Sequence, residues 1–245
     1  MRRWTTNLAE VEIEITSFCN LACFNCNRSV RQAPTTESMS LSQIEKFVSE
    51  SLNMNWEWKQ VTLIGGEPTL HPQFWEILAA IQIYKSAHPD CNVEVSTNGY
   101  GPRVQHVLAQ IPSWVTVDNS GKQSNKHKFS SYNVAPIDVP QFKNADFSGG
   151  CWITSECGLG LTRNGYYPCG AGGSVDRVFG FDVGLKELTL VNSDSTVRQL
   201  AELCGHCGHF KENYGAQPIE EELMSVTWQR AYAAYKHNKP TLSSY

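Results

Sequence analysis

The 245-residue sequence contains no apolar run long enough to cross a membrane, no internal repeat and no low-complexity tract. Its N-terminus leads from two arginines into polar residues, without the apolar core of a secretory signal peptide. The 20 Lys and Arg residues nearly balance the 24 Asp and Glu residues, so bulk charge favours neither nucleic acid nor an anionic membrane. We therefore expect a soluble, cytoplasmic protein that binds neither.

The nine cysteines lack the even number of a complete disulfide set. A cytosol keeps thiols reduced, so metal or cluster ligation is the leading interpretation. Cys19, Cys23 and Cys26 form C-x3-C-x2-C directly after a predicted strand. Three thiolates hold three irons of a cubane and leave the fourth iron open. The alternative is a zinc knuckle that lacks one ligand. Cys91, at the start of another predicted strand, is expected to be a small core residue.

Strand and helix patterns alternate through the first half of the chain. Predicted strands cover 11–15, 61–64, 92–96 and 114–117, and predicted helices begin at 41, near 72 and at 104. Ser40 and Gln43 have the spacing of a capping box. This order predicts an α/β fold with a parallel sheet. A further strand is predicted at 135–139 and a final helix at 220–236.

Residues typical of active sites follow the predicted strands, where the carboxyl ends of parallel strands form one edge. Gly65-Gly66-Glu67-Pro68 follows the second strand, and Ser96-Thr97-Asn98-Gly99 follows the third. Together with the three-cysteine loop, these motifs resemble the radical S-adenosylmethionine (SAM) superfamily over residues 10 to about 119. The resemblance implies a partial (β/α)6 TIM-like barrel in 1–147.

In that superfamily, Cys19, Cys23 and Cys26 would hold a [4Fe-4S] cluster that binds SAM. Reductive cleavage of SAM then gives a 5′-deoxyadenosyl radical, which takes a hydrogen atom from the substrate. The residues implied in cofactor binding are Gly65, Gly66, Glu67, Pro68, Ser96, Asn98 and Asp118. Many members have an aromatic residue directly before the third cysteine, whereas this sequence has Asn25 there and Phe24 one place earlier.

A second cysteine group lies in 148–245. Cys157, Cys169, Cys204 and Cys207 resemble the ligand set of a twitch or SPASM-like module, in which a β-hairpin and a C-x2-C loop hold an auxiliary [4Fe-4S] cluster. A four-thiolate zinc site is the alternative. Four nearer thiols make His206 and His209 unnecessary as metal ligands. For Cys151 three roles stay open: a spare ligand, a core thiol or a hydrogen-atom donor. Candidates for a residue that binds the substrate or acts as a general base are Arg163, Arg177, Asp176 and Glu156.

A coordinatively complete auxiliary cluster suits a two-electron oxidation, with the cluster accepting one electron. The layout is similar to the aminocyclitol dehydrogenase of aminoglycoside biosynthesis and to anaerobic sulfatase-maturating enzymes, so we expect dehydrogenation of a small-molecule alcohol or a related C–H site. The implied electron donor is flavodoxin or ferredoxin, for which the small cationic patch at Lys122, Lys126, His127 and Lys128 is a candidate docking site.

Two other functions stay open from the sequence. One is crosslinking or epimerisation of a ribosomally made precursor peptide. Such enzymes often carry an N-terminal leader-binding domain, and the ten residues before the first predicted strand count against this function without excluding it. The other is a zinc-stabilised binding protein without redox chemistry. Nucleotide or RNA modification is disfavoured because the sequence contains no basic stripe.

Overall fold

The protein is described by a computed structural model that covers residues 4–123, 132–214 and 223–245. Six strands are present: β1 (Glu10–Thr16), β2 (Gln60–Gly65), β3 (Asn92–Thr97), β4 (Thr116–Asn119), β5 (Leu159–Thr162) and β6 (Gly165–Tyr167). The α-helices are α1 (Leu41–Asn53), α2 (Phe74–Ala87), α3 (Pro102–Leu108), α4 (Trp152–Glu156), α5 (Gly170–Phe179), α6 (Ser193–Leu203) and α7 (Val226–His237). None of the described helices is long and apolar enough to span a bilayer.

One mixed sheet organises these elements in the order β4-β3-β2-β1-β5-β6. All neighbours pair in parallel except β6, which forms an antiparallel hairpin with β5. This arrangement confirms the predicted α/β class and is consistent with a partial TIM-like barrel. The sheet crosses the predicted boundary between 147 and 148, because β5 pairs directly with β1. The boundary itself stays a prediction.

The two faces of β1 explain why the strand forms where it does. Val11, Ile13 and Ile15 are buried in the main core with the apolar faces of α1 and α2. Glu12 and Glu14 alternate with them and therefore point to the opposite, concave face. In register with Glu12, that face carries Thr62 on β2 and, next to Thr62, Glu94 on β3. The concave face of the sheet is thus polar, and the convex face is the core.

The predicted helix start at Ser40 is confirmed. The Ser40 hydroxyl accepts a hydrogen bond from the Gln43 backbone N–H, and the Gln43 side chain accepts one from the Ser40 N–H. Both halves of the capping box are therefore made, and they satisfy two backbone donors at the start of α1.

Several element predictions need correction. The strand predicted at 135–139 is wrong, since this segment forms a 3₁₀ turn at Pro136–Asp138 followed by another at Pro140–Phe142. Proline has no backbone N–H to donate to a sheet. β4 begins two residues later than predicted, at Thr116. α7 begins at Val226, and part of the segment predicted to precede it lies outside the described residues. The helices α4, α5 and α6 were not predicted.

Behind the hairpin, a second core is built on Trp228, Tyr167 and Tyr132, all fully buried. The helix α5 belongs to this core although its sequence contains three glycines, Gly170, Gly172 and Gly173. A Cβ on Gly173 would lie 2.5 Å from the Thr162 methyl carbon, so the close approach of α5 to the hairpin requires a small residue there. Tertiary packing thus stabilises α5 even though its glycines give it a low intrinsic helix propensity.

Candidate active site

The carboxyl ends of β1, β2 and β3 meet at one cavity of about 360 Å³ on the concave side of the sheet. The three-cysteine loop contributes Cys19, Cys23 and Cys26 to its wall. The ends of the next two strands contribute four of the predicted cofactor-binding residues, namely Gly65, Gly66, Ser96 and Asn98. The structure therefore brings together the motifs that sequence reasoning placed at a common edge.

Hydrogen bonds hold the cysteine loop against the end of β3. The side-chain amide of Asn98 lies 3.7 Å from the Cys19 sulfur and donates to Asn20 Oδ1 at 2.9 Å. Asn20 in turn donates to the Tyr100 carbonyl at 2.6 Å. Burial raises the pKa of Cys19 to about 11, so in the absence of a ligand this thiol keeps its proton. Metal binding there has to displace a proton.

The donor set of the cavity is made of thiols. Throughout 4–123, 132–214 and 223–245, no three His, Cys, Asp or Glu side chains form a preassembled site for a single metal ion. A [4Fe-4S] cluster takes its thiolates on different irons, and three thiols that line one cavity are a donor set that it can use.

Gly66 is pressed against the cysteine loop. Its N–H donates to the Thr16 carbonyl at 2.7 Å, and the N–H of Glu67 donates to the Phe18 carbonyl at 2.8 Å. A Cβ on Gly66 would lie 2.2 Å from that same Phe18 oxygen and 3.0 Å from the Cys19 Cβ. Only glycine allows the two backbones to approach this closely.

Glu67 and Pro68 are placed behind the cavity wall. Glu67 is fully buried, and its carboxylate accepts hydrogen bonds from the Thr97 hydroxyl at 2.8 Å and the Asn98 backbone N–H at 2.8 Å. Pro68 begins a 3₁₀ turn. The Glu67 carboxylate thus ties the loop after β2 to the end of β3 and orients Asn98, and neither Glu67 nor Pro68 lines the cavity.

Phe24 and Asn25 also lie away from the described wall of this cavity, which continues through Asn27, Arg28 and Val30. Asn25 is fully buried and has a positive φ of 52°, a conformation in which asparagine is several-fold enriched. The departure from the aromatic pattern noted in the sequence therefore coincides with a backbone turn that asparagine accommodates.

The second thiol group encloses a separate, apolar cavity. Its walls carry Cys151, Cys169, Cys204 and Cys207 among side chains such as Leu200 and Phe210. Burial is the largest cause that raises the pKa values of these four thiols. The pKa values of Cys151, Cys204 and Cys207 are raised further by other thiols of the group, and that of Cys169 by Glu12. The effect brings the pKa of Cys151 to about 12. Cys151 precedes α4, Cys169 precedes α5 and Cys204 follows α6, so three helix ends deliver these sulfurs to one place.

Cys157 is not on the wall of that apolar cavity. It lines the large cavity with the three-cysteine loop, and burial followed by the nearby Glu12 raises its pKa to about 12. The predicted ligand set and the observed grouping therefore differ in one member: the structure groups Cys151, rather than Cys157, with Cys169, Cys204 and Cys207.

Arg28 connects the two thiol groups. Only 5% of its side chain is exposed. It pairs with Glu12 at 2.6 Å, lies 3.8 Å from Glu14, and donates to the Gly170 carbonyl. Burial alone lowers the pKa of Arg28, but the two carboxylates outweigh it and raise the pKa above its ordinary value. Because Arg28 follows Cys26 by two residues and Gly170 follows Cys169 directly, this cation links the loops of both groups.

A smaller acidic cavity of about 160 Å³ adjoins the large one, with which it shares Glu12, Ile64, Ser96 and Cys157 on its wall. Its carboxylates are Glu10, Glu12, Glu94, Asp118 and Glu156. Burial, and then Asp118, raises the pKa of Glu94. Asp118 accepts a hydrogen bond from Ser96 at 3.2 Å and lies in this acidic cavity, away from the cysteine loop.

The arginine candidates lie elsewhere. Arg163 pairs with Glu37 at 2.5 Å at the surface, with 37% of its side chain exposed. Arg177 is buried and donates to the backbone carbonyls of Ala33 and Arg28 and to the Tyr235 hydroxyl. Neither lines the large cavity. Of the predicted cationic patch, Lys122 lines that cavity, whereas Lys126, His127 and Lys128 lie outside the described residues.

One residue of the site was missed by sequence reasoning. His209 lines the large cavity, and its Nδ1 lies 3.0 Å from Glu212 Oε1. Because His209 follows Cys207 by two residues, the sequence analysis considers it only as a possible metal ligand of the second thiol group. The sequence carried no signal for its orientation, because that depends on how the loop after α6 folds over the sheet.

Residues 13–118 match the radical SAM superfamily. Among curated proteins, mycofactocin maturase MftC of Mycobacterium tuberculosis is 37% identical over 143 residues, which are 56% of this chain and 34% of that protein. The GTP 3′,8-cyclase of Mannheimia succiniciproducens is 33% identical over 92 residues, 37% of this chain and 26% of that protein. The chain thus spans about a third or less of the length of these relatives.

Among solved structures, BtrN in complex with AdoMet and 2-DOIA aligns with 91% of this chain and 98% of that chain, at a TM-score of 0.50 and 15% identity. At this identity the likeness concerns the fold alone.

Proposed function

The chain carries a radical SAM domain over residues 13–118, and from this premise we propose that it cleaves SAM to start a two-electron oxidation of a small alcohol or a related C–H site. Enzymes of this superfamily use a [4Fe-4S] cluster and SAM. The observation that carries the proposal is the single cavity on which the three-cysteine loop meets the ends of β2 and β3.

The residues of this cavity suit both groups. Cys19, Cys23 and Cys26 would hold the cluster by three thiolates, which leaves one iron for SAM. Gly65 and Gly66, which line the cavity, would face the methionyl part of SAM, and Ser96 and Asn98 offer hydrogen-bonding groups. When bound, the cluster and SAM would supply a 5′-deoxyadenosyl radical, with a second cluster as one-electron acceptor.

For the second cluster we assign Cys151, Cys169, Cys204 and Cys207 as ligands, because these four thiols share one apolar cavity. Residues 148–245 would then form the twitch-like auxiliary module. Four protein thiolates leave no iron open to substrate, so the role left to this site is electron transfer. Cys157, which faces the substrate side, would stay a thiol.

The choice between Cys151 and Cys157 is testable. We expect Cys151→Ala to lose the four irons of one cluster, about half of the iron bound by a protein with two cubanes. Cys157→Ala should keep its full iron because its sulfur lies on another cavity. Iron and sulfide per chain, measured after anaerobic purification, decide the matter. Full iron in Cys151→Ala and half in Cys157→Ala would restore the original ligand set.

Gly66 provides a test of the cavity wall. In Gly66→Ala the added methyl group has to displace the Phe18 carbonyl, and a misplacement of about 1 Å at a reacting centre can cost roughly 10²-fold in rate. We expect 5′-deoxyadenosine formation to fall by that order. Gly121→Ala is the control, because it strains a glycine at φ 55° but brings its Cβ no closer than 4.0 Å to the nearest atom. Equal rates in the two variants would contradict the assignment.

The carboxylates of the acidic cavity indicate which charge the substrate carries. Among the residues that the structure describes, Glu12 is the one carboxylate of this cavity that pairs with a cation, Arg28, and no described Lys or Arg lines the cavity. A substrate that carries an ammonium group beside the oxidised carbon would complement this wall. Amino alcohols are therefore the first compounds to try, and 2-DOIA is among them because BtrN, which shares the fold, binds it.

A second candidate function is supported by the similarity to MftC, a maturase, over more than half of this chain. Modification of a ribosomally made peptide, by crosslinking or epimerisation, would use the same radical-generating cavity. The two candidates predict different substrates for identical SAM chemistry.

The proposal is tested by reconstituting the protein with iron and sulfide under anaerobic conditions and adding SAM with dithionite. Formation of 5′-deoxyadenosine supports it, and zinc without iron in the purified protein counts against it. Addition of 2-DOIA and related amino alcohols then separates the reactions: an oxidised amino alcohol favours the first candidate, and turnover only of a precursor peptide favours the second.

A further inference from the structure

A groove of about 440 Å³ lies between the segments that follow β2 and β3. One wall is formed by the 3₁₀ turn after β2 and the start of α2, and the other wall is formed by α3. None of the described residues that line this groove lines the large cavity of the candidate active site. We call it the α2–α3 groove and define it by Thr69, Trp75, Pro102, Arg103 and His106.

The exposed side chains of this groove combine aromatic surface with positive charge. Trp75 is 41% exposed, although tryptophan is highly buried on average. Arg103 is exposed and forms no ion pair with a described residue. Among the described residues no Asp or Glu lines the groove, and Glu76 in the first turn of α2 does not line it either. Because the whole chain carries a net charge of −4, the groove is a locally cationic surface on an acidic protein.

The wall after β2 is tied to the three-cysteine loop by two hydrogen bonds. The Thr69 hydroxyl donates to the Glu67 carboxylate at 2.7 Å. The backbone N–H of Glu67 donates in turn to the Phe18 carbonyl at 2.8 Å. Since Phe18 directly precedes Cys19, this wall of the groove is connected to the first thiol of the loop.

The wall after β3 is tied to the same loop. α3 begins at Pro102, two residues after Tyr100, and the Tyr100 carbonyl accepts a hydrogen bond from the Asn20 side chain at 2.6 Å. A Cβ on Gly101 would lie 3.5 Å from that same Asn20 nitrogen. Because Asn20 directly follows Cys19, both walls of the groove are connected to the residues that flank this one thiol.

Cys19 is the thiol of the loop whose neighbours are exposed. Phe18 and Asn20 are both exposed, whereas the residues next to Cys23 and Cys26 are buried or half-buried. A protein seated in the α2–α3 groove would therefore reach the loop that carries the three thiols without entering the large cavity. Trp and Arg, which this groove presents, are also the side chains that most often dominate protein–protein binding.

We propose that the α2–α3 groove docks a flavodoxin-like redox protein with an acidic surface, which delivers one electron to a cluster held by the three-cysteine loop. The inference rests on the proposed function and deepens it, because it assigns a surface to the electron donor. One electron leaves the reduced flavin of the donor and enters the cluster, and no bond forms or breaks in this chain. Carboxylates of the donor would pair with Arg103, and Trp75 would be the apolar anchor of the interface. Lys122, from the cationic patch predicted in the sequence, lines the large cavity and not this groove.

Binding is the first test, and it needs neither SAM nor turnover. The full-length protein, reconstituted under anaerobic conditions, is passed over immobilised flavodoxin at low ionic strength. We expect Arg103→Glu to lower the association rate constant by about tenfold, the lower end of the range for electrostatic steering, and the difference to vanish at high salt. Trp75→Ala should raise the dissociation rate constant by about tenfold or more, as for a hot-spot side chain.

The matched control is Arg198→Glu, which makes the same charge change at an exposed position of α6. Arg198 lines neither the α2–α3 groove nor either thiol cavity, so this variant should associate with flavodoxin as the wild-type protein does. Equal slowing in Arg103→Glu and Arg198→Glu would show that net charge alone steers the donor, and it would overturn the proposal. Absence of measurable flavodoxin binding by the wild-type protein would overturn it as well.

Reduction of the cluster is the second test. Without SAM or substrate, the loss of visible absorbance is followed after mixing with limiting reduced flavodoxin or with dithionite. We expect Arg103→Glu to slow reduction by flavodoxin by about tenfold and to leave reduction by dithionite unchanged, because the small reductant needs no docking surface. Unchanged reduction by flavodoxin, or equal slowing with both reductants, overturns the proposal. If the wild-type protein forms no reducible cluster, the proposed function fails, and the association rates still decide whether the groove docks flavodoxin.

Discussion

Replacing Cys19, Cys23 and Cys26 together by alanine is expected to reduce the formation of 5′-deoxyadenosine from SAM to below detection. The reason is that all three thiols line the one cavity where the glycine loop and Asn98 also lie, and no other cysteine except Cys157 reaches that wall. Without three thiolates no cluster is retained there, and SAM loses the metal to which it would bind. The measurement is chromatographic detection of 5′-deoxyadenosine after anaerobic reconstitution with dithionite.

The control for this variant is Cys91→Ala. Cys91 is buried beside β3, belongs to the main core and lies on neither thiol cavity. If the proposed function is correct, Cys91→Ala should match the wild-type protein in iron content and in 5′-deoxyadenosine formation, apart from a modest loss of stability from the smaller side chain. If the triple variant still produced 5′-deoxyadenosine at the rate of Cys91→Ala, the cavity would have been assigned to the wrong chemistry.

Arg28→Met is expected to lower the free energy of unfolding by about 3–5 kcal/mol, the usual consequence of removing one partner of a buried ion pair. The guanidinium is nearly inaccessible to water, and its removal leaves Glu12 without its 2.6 Å partner and the Gly170 carbonyl without a donor. Denaturant unfolding, monitored by tryptophan fluorescence, measures the loss. Arg28→Lys should retain part of the stability, because it keeps the charge but not the fork of donors.

Arg163→Met is the control, because it removes one partner of an exposed ion pair instead of a buried one. Arg163 and Glu37 form an even shorter ion pair of 2.5 Å, but both side chains are more than a third exposed. Solvent screening limits such pairs to about 0–1 kcal/mol. Similar losses in Arg28→Met and Arg163→Met would show that burial of Arg28 contributes nothing to its role between the two thiol groups.

Local patterns were sufficient to predict the first three strands and α1. Apolar and polar residues alternate strictly along β1, which predicts a strand with one buried and one polar face. The capping box at Ser40 depends only on two residues three positions apart. The α5 helix was beyond such reasoning. Its glycines oppose a helix, and it forms because the hairpin offers a surface that only small residues approach.

The strand predicted at 135–139 failed for a related reason. Apolar and β-branched residues there resemble a strand, but Pro136 and Pro140 remove backbone donors at both ends of the segment. Two prolines within five residues favour turns over a strand, because neither can donate an N–H to a neighbouring strand.

In the candidate site, sequence spacing located the three-cysteine loop and the glycine loop because both follow strands of one parallel sheet. Spacing could not choose between Cys151 and Cys157, which stand at opposite ends of the short helix α4 and face different cavities. The same limit applies to His209. Which cavity a loop side chain enters depends on long-range packing that no local pattern encodes.

The pairing of β5 with β1 has a consequence for how the chain can be divided. The strand β1 has β2 on one side and β5 on the other, so both of its edges are occupied. A fragment that stopped at residue 147 would leave the second edge of β1 with bare amide and carbonyl groups in the middle of what had been a continuous sheet, which is a template for aggregation. The two predicted modules are therefore expected to behave as one cooperative unit rather than as parts that can be expressed separately.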